Sequence, residues 1–155
     1  RKTGFEKESI TSIGLAHLAK ISTLEHLNLN ATRLQDKSLI PLRQLKHLRH
    51  LDLGLTAITN ASMAHIATLP RLEYLSLMSQ VGFGGTRVTA AGLKHLAGHP
   101  ALRDLDLTGT QLNDGDLPAL LALGTLRRLT ISGTAITLQG SANLARQLPN
   151  CRIVR

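Results

Sequence analysis

A six-residue pattern, L-x-x-L-x-L, recurs along the chain at a regular interval. Its copies begin at Leu24, Leu48, Leu72, Leu102 and Leu126, with isoleucine as the last residue of the fifth copy. The intervals between these starts are 24, 24, 30 and 24 residues. Self-similarity with such a period is typical of a solenoid, in which each unit is too small to bury its own apolar residues and packs on its neighbours.

Each unit is predicted to contain a strand followed by a short helix. Apolar and polar positions alternate in the six-residue pattern, which places the leucines on one face of a strand and the intervening residues on the other. Residues that can cap a helix follow in most units, at Thr59, Thr89, Asn113 and Thr137. Apolar pairs at helical spacing come next. They are Leu39 and Leu42, Met63 and Ile66, Leu93 and Leu96, and Leu117 and Leu120.

This pattern resembles the leucine-rich-repeat family, and in particular its bacterial repeats of about 24 residues, LxxLxLxxTxITxxGLxxLAxLP. Residues 10–19 and 88–97 match the second half of that repeat best. The resemblance implies an α/β fold: a right-handed horseshoe segment with a parallel sheet on its concave face and short helices on its convex face. It also implies a binding scaffold, since relatives include recognition arms of larger bacterial proteins, some of them effectors delivered into host cells.

We predict a single leucine-rich-repeat domain over residues 1–155. It begins with a partial repeat at 1–23, so an upstream segment of a longer protein is expected. Complete repeats occupy residues 24–47, 48–71, 72–101, 102–125 and 126–150, and a terminal strand follows at 151–155. The longer third repeat contains an inserted loop at residues 78–85, and Phe83 of this loop is a candidate contact residue because loops on rigid scaffolds often carry function.

Two polar or reactive residues stand in apolar slots of the repeat. In the terminal strand, Cys151 and Val154 are assigned to inward slots, and Cys151 is predicted to be a buried residue rather than a reactive thiol. His99 is predicted to be a hydrogen-bonded histidine in the core. Its slot holds an aliphatic residue in other units, namely Ile21, Leu45, Leu69 and Leu123.

The sequence carries no catalytic or cofactor signature. A nucleophile-elbow motif, H-E-x-x-H and C-x-x-C are all missing, so we expect neither enzymatic activity nor a cofactor. His26 and His50 occupy the same slot of adjacent predicted strands, beside Asn28 and Asp52, and a zinc or nickel site is conceivable there. An ordinary polar binding face is the better interpretation, and no metal is predicted.

The residues that point outward from the predicted strands form the candidate partner-binding set. They combine aromatic, amide and charged side chains, as protein recognition sites do. Together with Phe83 of the inserted loop, the set is His26, Asn28, His50, Asp52, Tyr74, Ser76, Phe83, Asp104, Asp106 and Arg128. Because Asp52 faces outward, we expect its side chain to contribute little to stability.

Arginines gather toward the C-terminus in a predicted basic patch. The patch consists of Arg103, Arg127, Arg128, Arg152 and Arg155, in a chain whose formal net charge is +8. Binding of nucleic acid or another anionic surface through this patch is the alternative function. Two features weigh against it. The first is that aromatic residues make up only 2% of the chain, with no Trp, whereas proteins that bind single-stranded nucleic acid stack the bases on aromatic rings. In addition, Asp104 and Asp106 interrupt the basic run, which a phosphate backbone disfavours.

We therefore predict a non-catalytic protein–protein interaction module that binds a partner on its concave strand face, as the recognition part of a larger bacterial protein. The partner is expected to be another protein rather than a nucleic acid, and the chain is expected to be a monomer. No apolar run approaches the roughly 20 residues that span a bilayer, so no membrane span is predicted. The expected location is the cytoplasm, or a host cytosol if the protein is an effector.

Overall fold

The computed structural model describes residues 12–80 and 84–155. Most of the strands in these ranges are three residues long, and each repeat contributes one of them. In chain order, the strands are β1 (His26–Asn28), β2 (His50–Asp52), β3 (Tyr74–Ser76), β4 (Ser79–Gln80), β5 (Gly84–Gly85), β6 (Asp104–Asp106), β7 (Arg128–Thr130) and β8 (Arg152–Val154).

One parallel sheet contains a strand from each repeat, in the order β1-β2-β3-β6-β7-β8. Its register follows the sequence repeat, so that Leu27 lies beside Leu51, and Leu51 lies beside Leu75. The inserted residues of the third repeat do not disturb this order, because β3 pairs directly with β6 and Leu75 lies beside Leu105. The predicted α/β solenoid with one parallel strand per repeat is confirmed.

Short helical segments connect the strands. They are α1 (Ser12–Leu18), a 3-10 helix at Asp36–Gln44, α2 (Asn60–Ile66), α3 (Ala90–Leu93) with a 3-10 turn at Lys94–Leu96, a 3-10 turn at Asp114–Asp116 that leads into α4 (Leu117–Leu121), and α5 (Leu138–Gln147). Pro41 lies inside the first 3-10 helix and has no N–H for an α-helical hydrogen bond. No helix in the described ranges is long and apolar enough to cross a membrane.

The leucine and isoleucine positions of the repeat form one continuous core between the sheet and the helices. Leu53 is fully buried and Leu107 is 1% exposed. Met63 and Ile66 of α2 belong to the same core, as the apolar pair in the sequence predicts. Each unit therefore buries its aliphatic side chains against the units on either side. This packing stabilises short helices that would not be stable alone in water.

Polar contacts join successive repeats where their helical segments begin. The Asp36 carboxylate accepts hydrogen bonds from the N–H and the hydroxyl of Thr59, both at 2.8 Å, and from the Ser62 hydroxyl. Partial burial opposes ionisation of Asp36, but these hydrogen bonds outweigh it and lower the pKa of the carboxyl group. Similar pairs join later repeats, namely Asn60 with Thr89 and Asp114 with Thr137.

In the third complete repeat the equivalent position is occupied by Ala90, which has no side-chain acceptor. Asn113, the residue that Ala90 would otherwise hold, caps its own turn instead. Its Oδ1 accepts from the Gly115 N–H at 2.9 Å, and its N–H donates to the Asp116 carboxylate at 2.9 Å. The junction between the third and fourth complete repeats thus lacks the side-chain contact that joins the other pairs.

The register of the terminal strand differs from the expectation by one residue. Ile153, not Val154, pairs with the core residue Leu129, and Val154 pairs with Thr130. Cys151 is 8% exposed, so its burial is confirmed. The difference arises because α5 delays the final turn: the Cys151 N–H bonds Leu148, while the sheet keeps its 24-residue offset. Arg152 consequently lies beside Arg128.

The inserted segment of the third repeat contains a short antiparallel pair rather than an irregular loop. Ser79 pairs with Gly85, and Gln80 with Gly84. The segment packs closely over the next repeat, since a Cβ atom built on Gly109 would lie 2.1 Å from the Ser79 carbonyl oxygen. Gly109 also has a φ of 67°, so two constraints favour glycine there. Phe83 lies outside the described residues.

His99 is a hydrogen-bonded residue of the core, as predicted. It is 4% exposed, and its Nδ1 accepts from the Leu102 N–H at 3.1 Å and the Ala101 N–H at 3.3 Å. Its proton therefore sits on Nε2, which donates to the Leu69 carbonyl at 2.9 Å in the preceding repeat. Burial lowers the pKa of His99, the bond to Leu69 opposes this shift, and the nearby charge of Arg103 adds to it.

Leu53→Ala should destabilise the fold by roughly 2–5 kcal/mol, because it opens a cavity in the core. Asp52→Ala should cost less, about 1 kcal/mol, and not the near-zero value expected from an outward residue alone. The reason is that the Asp52 carboxylate accepts a hydrogen bond from the Gly54 N–H at 2.9 Å. Urea unfolding monitored by circular dichroism measures both. Equal losses for the two variants would contradict the register, since a slip of one residue exchanges the two faces.

The free energy of unfolding should fall as the pH drops below about 6.5, because the folded state holds His99 neutral while the unfolded state takes up a proton. The contribution of neutral His99 to the free energy of unfolding is complete above the ordinary histidine pKa. It is lost as the pH falls toward the lowered pKa of His99 in the folded state. Chemical unfolding across this pH range should give a shallower slope for His99→Gln. His95→Gln is the matched control, because it makes the same substitution at an exposed position. Identical slopes for wild type and His99→Gln would refute the assignment.

Candidate functional site

The outer face of the sheet, here called the strand face, presents three rows of side chains. The central row is His26, His50, Tyr74, Asp104, Arg128 and Arg152. The row at the C-terminal end of the strands is Asn28, Asp52, Ser76, Asp106, Thr130 and Val154. The row that precedes the strands contains Glu25, Arg49, Glu73, Arg103 and Arg127.

The first three residues of the central row form a ring stack. The ring centroids of His26 and His50 are 4.3 Å apart with planes 11° from parallel, and those of His50 and Tyr74 are 5.9 Å apart at 27°. The stack follows from the register, because parallel strands place equivalent residues about 4.8 Å apart. The exposed edges of the three rings form a strip of carbon atoms, interrupted by ring nitrogens and the tyrosine hydroxyl, among the charged and polar side chains of the strand face.

One nitrogen atom within the stack is shielded from water. His50 Nδ1 is buried and has no hydrogen-bond partner among the described residues. Burial raises the pKa of Tyr74, a hydrogen bond with Ser76 opposes this shift, and the charges of Asp106, Asp52 and Asp104 add to it. The phenol O–H of Tyr74 can donate a hydrogen bond. Buried polar atoms without partners are rare in folded proteins, and the stack is therefore a place where a further contact would be favourable.

The ring stack is unsuited to holding a metal ion between its two histidines. A zinc ion lies about 2.0–2.1 Å from each imidazole nitrogen, along a lone pair in the plane of the ring. The rings of His26 and His50 are nearly parallel, so their lone pairs lie in separate planes that do not converge on one ion. In the part of the chain that the structure describes, no group of three or more His, Cys, Asp or Glu side chains could hold a metal ion.

Several candidate residues in the C-terminal row stabilise the turn after their own strand. Asn28 Oδ1 accepts from the Asn30 N–H at 2.8 Å, and Asp106 Oδ1 accepts from the N–H and hydroxyl of Thr108 at 2.9 and 2.6 Å. Asp52 does the same for Gly54. These side chains are fixed in position, and each still keeps lone pairs for a partner.

Burial removes one residue from the candidate set. Ser76 is only 3% exposed, although it lies in the same row as Asp52 and Asp106. The sequence placed it on the outer face by strand alternation alone. The inserted segment begins two residues later, at Met78, and strand alternation does not take such a nearby segment into account.

Charges on the strand face are partly paired with one another. Arg49 lies between two carboxylates, 2.8 Å from Glu73 and 3.7 Å from Glu25. Arg128 is 3.5 Å from Asp104. Burial raises the pKa of Asp104, the charge of Arg128 opposes this, and Asp106 adds to the increase. The Glu25–Arg49–Glu73 chain was missed in the sequence, although its opposite charges recur at a spacing of 24 residues in one column.

The residues of the predicted basic patch have different surroundings. Arg103 donates to backbone carbonyls of its own and the preceding repeat, and Arg155 donates to the Ile136 carbonyl at 3.1 Å. Arg127 and Arg152 are exposed, and no ion pair of either is found among the described residues. The patch is therefore two free guanidinium groups beside one paired arginine, Arg128, rather than a uniform cluster.

Residues 44–67, which span the end of one repeat and most of the next, match the model of the family described as Leucine Rich repeat. This match falls on the strand, turn and helix that the sheet and core repeat in every other unit. The chain has the leucine-rich-repeat fold. No match was found among curated proteins.

A solved structure shares the leucine-rich-repeat fold of this chain. A leucine-rich-repeat protein of Leptospira interrogans is 21% identical with a TM-score of 0.58, over 90% of this chain and 39% of that protein. An internalin of Listeria monocytogenes is 19% identical with a TM-score of 0.44, over 96% of this chain and 51% of the internalin. This leucine-rich-repeat chain thus spans between two fifths and about half of the length of these two proteins.

Zinc chloride or nickel chloride in molar excess should leave the melting temperature of this leucine-rich-repeat chain unchanged. A metal ion that binds only the folded state would raise the melting temperature, and the stacked rings of His26 and His50 do not converge on one ion. Thermal melts with and without metal measure this. A rise that disappears in His26→Gln would show that the rings rotate to form a metal site.

Proposed function

We propose that this leucine-rich-repeat chain is a non-catalytic protein–protein interaction module that binds another protein on its strand face. It acts as the recognition part of a larger bacterial protein, in the cytoplasm or, if that protein is an effector, in a host cytosol. The length of the similar Leptospira interrogans protein supports the larger context, because this chain covers only 39% of it.

The observation that carries the proposal is the ring stack on an open sheet face. Parallel sheets are usually covered on both faces. Here the helices and the aliphatic core lie on one face, and the other presents His26, His50 and Tyr74 at the centre of charged rows. Aromatic side chains surrounded by polar ones are typical of the energetically important part of a protein interface.

The same stack argues against the alternative function, nucleic-acid binding. Proteins that bind single strands offer the faces of aromatic rings to the bases. Both faces of His50 are already covered, one by His26 and the other by Tyr74. In addition, the Asp104 and Asp106 carboxylates lie next to the arginines and would repel phosphate groups. A protein surface, with both signs of charge, suits this arrangement better.

Tyr74→Ala should weaken binding of a captured protein partner by at least about 1–2 kcal/mol, because Tyr74 lies near the middle of the strand face. His50→Ala should also weaken binding, since it removes the ring on which Tyr74 stacks. His65→Ala is the matched control: it makes the same change on α2, on the helix side of the chain, and should leave affinity unchanged. Calorimetric titration of the partner measures all three.

The partner itself can be captured by affinity chromatography followed by chemical cross-linking and mass spectrometry. Cross-links should map to residues near the strand face rather than to the helices. Equal affinities for wild type, Tyr74→Ala and His50→Ala, together with loss in His65→Ala, would place the binding surface on the helix side and refute the proposal.

A further inference from the structure

The strand face carries opposite net charges at its two ends. Over β1–β3 and the residues that precede these strands, three carboxylates stand against one arginine, Arg49. They are those of Glu25, Asp52 and Glu73. Over β6–β8, four arginines stand against two aspartates. The arginines are Arg103, Arg127, Arg128 and Arg152, and the aspartates are Asp104 and Asp106. The formal excess is therefore two negative charges at one end and two positive charges at the other.

Pairing concentrates the positive charge in two side chains. Arg128 is engaged with Asp104 at 3.5 Å, and Arg103 donates to backbone carbonyls. Arg127 and Arg152 remain, on or just before the last two strands, exposed and without a carboxylate among the described residues. Fixed charges of this kind, unpaired within the protein, are suited to attract an acidic group of a partner.

The ring stack lies at a defined distance from these arginines. Tyr74 on β3 is two strands from β7 and three strands from β8. At about 4.8 Å between strands, Arg127 and Arg152 lie roughly 10–14 Å from Tyr74 across the sheet. An extended peptide advances about 3.3 Å per residue, so this distance corresponds to about three to five residues of a bound chain.

We propose that the strand face binds an extended segment of a partner protein in one direction. In this segment an acidic residue lies about three to five positions from an aromatic or large aliphatic residue. The apolar side chain rests on the edges of the ring stack, and the acidic side chain meets Arg127 and Arg152. This inference rests on the proposed function and adds the chemistry and polarity of the partner.

The opposite net charges at the two ends of the strand face favour some kinds of bound molecule over others. A polyanion that ran along the strand face would place its phosphates over Glu25, Asp52 and Glu73, where like charges repel. A uniformly acidic peptide would meet the same obstacle. Only a segment whose negative charge is confined to one end matches both ends of the face and gains from the rings between them.

Selection from a displayed library of random linear peptides, against the whole chain, tests the proposal. Enriched peptides should share an acidic residue about three to five positions from an aromatic or large aliphatic residue. A synthetic peptide from the selection should lose roughly tenfold or more in affinity for the Arg127→Glu, Arg152→Glu variant. The matched control is Arg43→Glu, Arg146→Glu, which makes the same charge change at exposed residues of the helical segments and should leave affinity unchanged.

A charge exchange then tests direct contact. Replacing the acidic residue of the selected peptide by lysine should weaken its binding to wild type and restore its binding to the Arg127→Glu, Arg152→Glu variant. A photo-cross-linker placed beside the acidic residue should label residues of β7 or β8, and one beside the apolar residue should label β2 or β3. Labelling in the reverse order would overturn the proposed direction.

The outcomes separate this inference from the proposed function. Loss of peptide binding in Tyr74→Ala but not in Arg127→Glu, Arg152→Glu would leave the strand face as the binding site and overturn the charge arrangement. Binding that no change on the strand face affects would overturn both. Four further outcomes would each refute the extended-segment proposal. Two come from the selection: enriched peptides without an acidic preference, or no enrichment at all. The other two are tighter binding of a single-stranded oligonucleotide than of any selected peptide, and a dimer of this chain that blocks the strand face.

Discussion

Hydrogen bonds between parallel strands hold each repeat in one register with the next, and the rest of the molecule depends on this register. The Arg49 N–H bonds the Glu25 carbonyl at 2.8 Å, and the Glu73 N–H bonds the Arg49 carbonyl at the same distance. Because the offset equals the repeat length, every repeat position becomes a column of neighbouring side chains. The leucine core, the ring stack, the Glu–Arg–Glu chain and the Asp36–Thr59 contact are all columns of this kind.

The fold could be predicted from the sequence because its determinants recur within each repeat. The spacing of Leu24, Leu48 and Leu72 reveals the period, and the alternation around them separates inward from outward positions. The terminal strand was misplaced because one extra residue before Cys151 shifts the helix side and the sheet side by different amounts. A pattern of apolar residues does not distinguish these two offsets when Ile153 and Val154 are both aliphatic.

The candidate site was predictable only in part. The direction in which a strand side chain points follows from its own strand, whereas its contacts depend on residues elsewhere in the chain. Sequence alternation correctly placed His26, His50 and Tyr74 in one row. It did not show that the rings stack, that Asp52 and Asp106 are engaged by the turns that follow them, or that Ser76 is buried. These features depend on the backbone beyond the strand, which varies between repeats. The pairing of charges likewise needs side-chain positions.

Because of Ala90, the junction between the third and fourth complete repeats lacks the side-chain contact that is present at the other junctions. Stability in a stacked array is shared between nearest neighbours, so this junction depends on the pairing of β3 with β6 and on the close packing of the inserted segment against Gly109. This junction, between the third and fourth complete repeats, also separates β3 from β6, where the net charge of the strand face changes sign. The ring stack and the exposed arginines Arg127 and Arg152 therefore lie on opposite sides of this junction, and the distance between them depends on how the two repeats pack there.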